Sequence, residues 1–77
     1  MNKERRKQLE DCIGKLDEVQ NEIDCLKDEE QEYYDNMPEG FQQAEKGQRA
    51  EECISSLEEA VSSIQGAIEE VQEAIEN

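Results

Sequence analysis

The side chains best suited to chemistry crowd into one short stretch. Tyr33, Tyr34 and Phe41 are the chain's only aromatic residues and fall within nine positions of one another. Asn36, Met37 and Gln42 lie among or next to them, and Lys46 and Arg49 follow closely. Aromatic rings offer flat faces to a base or to a partner's side chain. Lys46 and Arg49 supply cations for a phosphate or carboxylate. Asn36 and Gln42 add amide tips able to fix orientation. This inventory suits recognition of a host protein or a small anionic nucleotide. It also suits a plain hydrophobic plug that closes one end of a helical bundle.

Catalysis finds no support in the remaining residues. Histidine is absent, which removes the commonest general base and metal ligand. Cys12, Cys25 and Cys53 have no CxxC spacing, so no zinc site is expected. They read as the reduced thiols of a cytoplasmic protein. Gly40 and Gly47 lack the Gly-Lys-Ser/Thr ending of a phosphate loop. No run of acids alternates around a glycine as a calcium loop requires. We therefore expect no enzyme, no cofactor and no bound metal.

Charge narrows the partners. The chain carries 22 Asp and Glu against 8 Lys and Arg, a formal charge of −14. Such a field repels phosphate, so direct nucleic-acid binding is not expected. Regularly spaced carboxylates on a rod could instead imitate a duplex and occupy a DNA-binding protein. The longest apolar run is two residues, so no membrane span is expected. The basic start, Lys3 to Lys7, is not followed by the apolar stretch of a secretory leader.

The elements that position the aromatic stretch follow from periodicity. Leu, Ile, Val and Phe make up only 14 of 77 residues, which borders on the composition of disordered chains. Those few residues are nevertheless arrayed in heptads. Leu9, Leu16, Ile23, Glu30 and Met37 form one row, and Cys12, Val19, Leu26 and Tyr33 form its companion three residues later. Ile13 and Tyr34 widen this seam. In the second half Ile54, Val61, Ile68 and Ile75 alternate with Ala50, Leu57, Ile64 and Val71. Cys53, Ala60, Ala67 and Ala74 add a small-residue row. The pattern predicts a single all-α domain over residues 1–77, with helices over 3–36 and 44–76 and a turn over 37–43.

Pro38 disfavours helix at Met37 and predicts the break. Asn36 could cap a short new turn, with Glu39 in the capping-box position. Gly47 reads as a second interruption, and Gly14 and Gly66 as outer positions. A short connection predicts an antiparallel, coiled-coil-like hairpin. That fold would set Lys3, Arg5, Arg6 and Lys7 beside Glu69, Glu70, Glu73 and Glu76. Two helices of this size have little core, so a homodimer forming a four-helix bundle, or a higher oligomer, is expected. Ile54, Leu57, Val61, Ile64, Ile68 and Val71 are the expected oligomer seam.

The segment Glu30-Gln31-Glu32-Tyr33-Tyr34-Asp35-Asn36-Met37-Pro38-Glu39, followed by Gln42, resembles small acidic helical-hairpin proteins of phages and mobile elements of low-GC Gram-positive bacteria. The resemblance implies an accessory protein working in the host cytoplasm. It implies action by binding: blocking a defence enzyme, sequestering a signal nucleotide or modulating transcription. The expected function is thus non-catalytic binding through the turn-end cluster. DNA mimicry and a purely structural oligomerisation hairpin are the alternatives.

Overall fold

The computed structural model describes residues 1–77, which form three helices. Helix α1 spans Lys3–Asp35, α2 spans Glu39–Gln42 and α3 spans Glu45–Glu76. Helices α1 and α3 pack against each other along a rod of 58 × 15 × 12 Å.

Local chemistry sets the helix ends. Asn2 caps α1, its Oδ1 accepting from the Arg5 N–H at 2.7 Å. Asn36 closes α1 rather than opening the next turn, and its N–H donates to the Glu32 carbonyl at 3.0 Å. The proposed Asn36 capping box is therefore corrected: Pro38 precedes α2, and no side chain caps that helix. Proline can stand there because its missing N–H would have no intrahelical partner. The Gln42 amide turns back and donates at 3.0 Å to the Tyr34 carbonyl, which also accepts from the Met37 N–H at 3.1 Å, so the end of α1 is tied to α2.

Gly47 does not interrupt α3; it lies buried within the helix's first turn. A Cβ at this position would come within 2.2 Å of the Gln42 carbonyl oxygen. The absent side chain lets the backbone of α2 close against α3. Seven-residue steps back from Ile54 arrive at Gly47, so it begins the inward row instead of preceding it.

Helix α3 packs with the row expected from its sequence. Ala50, Ile54 and Ile68 are buried, and Leu57, Val61, Ile64, Val71 and Ile75 are half-buried. This row, expected to carry the oligomer contact, faces α1 of the same chain. Helix α1 differs from expectation. Its half-buried residues are Arg6, Leu9, Ile13, Leu16, Gln20, Ile23, Lys27, Glu30, Gln31 and Tyr34, and Met37, just past its end, is half-buried too. The companion row therefore lies four residues after Leu9, not three. Cys12, Val19, Leu26 and Tyr33 are exposed, and so is Cys53.

Polar side chains hold this rotation. Gln20 donates to the Val61 carbonyl at 3.2 Å and to Gln65 Oε1 at 3.1 Å. Tyr34 donates its hydroxyl to Glu51. Lys27 lays its stem along the seam and reaches Asp28 at 3.0 Å and Asp24 at 3.5 Å. Those two carboxylates hold the ammonium above its ordinary pKa, the Asp28 hydrogen bond most of all.

The pairs Gln20–Gln65 and Tyr34–Glu51 also fix the register. Counting outward from them brings Asn77 level with Gln8. Lys3, Arg5, Arg6 and Lys7 thus extend past the end of α3. The expected pairing with the acidic C-terminal turn does not form, because all three ion pairs lie within single helices.

The two flanks of the seam differ sharply. In heptad terms Ile13, Gln20, Lys27 and Tyr34 are a positions of α1, and Ile54, Val61, Ile68 and Ile75 those of α3. Antiparallel packing then sets g beside g on one flank and e beside e on the other. The g flank carries Cys12, Val19, Leu26 and Tyr33 beside Cys53, Ala60, Ala67 and Ala74. The e flank carries Glu10, Asp17, Asp24 and Gln31 beside Glu51, Glu58, Gln65 and Gln72. One flank is apolar, and the other is polar and largely acidic.

Candidate recognition cleft

At the turn end, Pro38 directs the chain out of α1 and α2 presents Phe41 to the outside. Phe41 is 56% exposed and Tyr33 46%, so neither ring plugs the end of a single hairpin. Together with Asn36, Met37, Pro38 and Lys46 they line a cleft of about 340 Å³. The cleft opens towards the g flank, because Tyr33 and Lys46 are the g residues nearest the turn. Neighbouring heptad positions thus divide the tyrosine pair: Tyr33 faces the cleft, and Tyr34 faces the seam.

The expected cluster is therefore brought together in part. Tyr33, Asn36, Met37, Phe41 and Lys46 share the cleft. Tyr34 lies outside it, hydrogen-bonded to Glu51. The bond to this carboxylate raises the phenol above its ordinary pKa. Gln42 is turned inward onto the Tyr34 carbonyl. Arg49 donates to Glu45 Oε1 at 2.6 Å and borders a separate groove with Glu30 and Cys53. Two residues outside the expected set matter here. Pro38 forms part of the cleft wall, and Gly47 permits the close approach of α2. The sequence signal for Gly47 was its heptad phase with Ile54.

The cleft's electrostatics are distinctive within this chain. None of its six lining residues is acidic, although the chain carries 22 carboxylates. Lys46 has no carboxylate within 4.0 Å, so its charge is available to a ligand. The arrangement can stack a flat group on Tyr33 or Phe41 while Lys46 meets an anion and Asn36 supplies an amide. It holds no nucleophile–base pair and no group of three or more metal-ligating side chains. No helix is long and apolar enough to cross a membrane.

No family model matches the sequence, no curated protein matches it, and no solved structure matches the fold.

Proposed function

We propose that this chain is a non-catalytic binding protein that self-associates into a four-helix bundle and recognises its target at the turn end. The observation that carries the reading is the acid-free cleft, where two exposed rings, an amide and an unpaired lysine converge. The matching target is a flat ring joined to an anionic group. A small nucleotide has that chemistry, and so does an aromatic–acidic segment of a host protein. With the resemblance of the turn motif, this supports a viral or mobile-element accessory protein that sequesters or inhibits a host factor.

Thermal denaturation with a panel of nucleotides tests the small-ligand form. A nucleotide at 100 times its dissociation constant should stabilise the fold by about 2.7 kcal/mol. The stabilisation should vanish in Tyr33→Ala and Lys46→Ala. No response to any nucleotide removes that ligand class. Full biological activity in a folded Tyr33→Ala/Phe41→Ala protein removes the cleft altogether and favours the purely structural hairpin.

The acidic e flank favours a second reading, DNA mimicry. Glu10, Asp17, Glu51 and Glu58 line one side of a rigid rod, and none of them forms an ion pair. Partner binding would then weaken steeply with salt. It would survive turn substitutions and fail when these residues become glutamine.

A further inference from the structure

We infer that two copies of the chain pair through the g flank, with both turns at the same end of the bundle. The inference rests on the self-association proposed above and names its surface and geometry. The hairpin leaves a need for more burial. Only Ala50, Ile54 and Ile68 are buried hydrophobic residues, and domains of this size need further support. Val19, Leu26 and Tyr33 meanwhile stand 46%, 53% and 46% exposed along one side of the rod.

A second copy fits this surface in shape and area. Large residues line the α1 side, and Ala60, Ala67 and Ala74 line the α3 side. A two-fold axis along the rod lays the large row of one copy over the alanine row of the other. Both rows can then interdigitate at close approach. The 58 × 15 Å side of the rod offers on the order of 800 Å², the share per partner of a stable interface.

Charge selects both the flank and the direction. The e flank would stack acidic residues on acidic residues, whereas the g rows from Cys12 to Tyr33 and from Cys53 to Ala74 carry no charge. Beyond them, Lys15, Glu22 and Glu29 border α1, while Ser56, Ser63 and Glu70 border α3. With the turns together, Lys15 comes level with Glu70 of the second copy. Glu22 and Glu29 come level with its Ser63 and Ser56. With the turns apart, Glu22 meets Glu22 of the second copy. The first arrangement sets no carboxylate of these border rows against another. It also brings the two clefts to one end, where Tyr33 and Lys46 of each copy border the same axis.

Sedimentation equilibrium between about 1 and 100 µM, with spin-label distances, tests this inference. The expected mass is twice the 8.9 kDa of the chain. Leu26→Glu and Ala67→Glu should each raise the dimer dissociation constant by about tenfold or more, while Glu58→Gln on the e flank should not. Circular dichroism at high protein concentration reports whether the variants remain helical. Labels at Glu39→Cys, in a chain with Cys12, Cys25 and Cys53 changed to alanine, should lie roughly 20–30 Å apart for adjacent helix pairs. Separation near the 58 Å length of the rod would overturn the same-end arrangement. A dimer indifferent to both glutamate variants would overturn the choice of flank alone. A monomer at 100 µM would overturn the inference together with self-association, while leaving the cleft reading to its own nucleotide and activity tests.

Discussion

Tyr34 on α1 donates its hydroxyl to the carboxylate of Glu51 on α3, across the e flank of the seam. This bond separates two adjacent tyrosines into different environments. Tyr34 joins the two long helices, and Tyr33, one position earlier, stands exposed at the cleft. The bond also helps fix the rotation of α1. Turning that helix to bury Tyr33 would break it and withdraw Gln20 from Val61 and Gln65.

The Tyr34 bond makes stability fall in alkali. Its phenol is raised above the ordinary tyrosine value, chiefly by the hydrogen bond to Glu51. Above about pH 10 the unfolded chain loses this proton while the folded chain retains it. The folded state then holds more protons, so stability declines as pH rises. The contribution is complete below the unfolded pKa and is lost through the folded one. Lys27, also raised, acts in the same direction. Urea midpoints at about pH 8 and about pH 11 should fall further in the unmodified chain than in Tyr34→Phe. Equal losses would show that the phenol bond does not contribute.

The glycines should respond with opposite signs. At Gly47 a methyl group would meet the Gln42 backbone at 2.2–2.5 Å, where no flexible side-chain tip can yield. Gly47→Ala should cost about 1–3 kcal/mol by forcing α2 away from α3. At Gly14 a methyl group meets nothing within 4 Å. Gly14→Ala should stabilise by about 0.5–1 kcal/mol, because alanine restricts the unfolded chain and favours helix. Denaturant titration of both variants checks the pair, and equal signs would contradict the packing at the turn.

Helical content and the pairing of two long helices were legible in the heptads, because 3.6-residue periodicity survives even a chain of −14 charge. The choice of inward row on α1 was less visible. Leu9, Leu16 and Ile23 are flanked by two rows, and the more apolar one, through Val19 and Leu26, is left outside. The inward row includes Gln20, whose place depends on partners on α3, and Lys27, whose ammonium is held by neighbours on its own helix; neither is marked by hydropathy. The turn showed the same division. The break at Pro38 follows from local sterics, and so do the exposed rings nearby. The inward turn of Gln42 depends on the Tyr34 carbonyl, which is within reach only once α1 has ended and the chain has folded back through α2.

Salt should stabilise the hairpin. Its three ion pairs join near neighbours within one helix, and none bridges α1 to α3. Screening them removes little, since exposed pairs are worth about 0–1 kcal/mol each. Screening the self-repulsion of a −14 rod removes more. The thermal midpoint should therefore rise as sodium chloride increases from about 20 to 500 mM, across which the Debye length shrinks several-fold. Dimer formation should strengthen over the same range. A falling midpoint would mean that attractive pairs govern the fold.

Gln20 is the polar layer whose removal separates stability from register. It sits between Leu16 and Ile23 in a seam that is apolar on the α3 side, and its amide bridges to the Val61 carbonyl and Gln65 Oε1. A leucine here loses both hydrogen bonds, each worth about 0.5–1.5 kcal/mol net. It gains apolar burial, worth about 1.5–3 kcal/mol when complete and less at this half-buried site. Those magnitudes nearly cancel, so Gln20→Leu should change stability by less than about 1 kcal/mol in either direction. Its larger effect should fall on specificity, as a polar residue at an a position that bonds to the facing helix favours one alignment. Without it, α1 is freer to rotate towards the Val19–Leu26 row. Hydrogen exchange should then quicken along the middle of both long helices, with little change in the denaturant midpoint. A loss above about 2 kcal/mol with unchanged exchange in the remaining structure would instead make Gln20 a stability element.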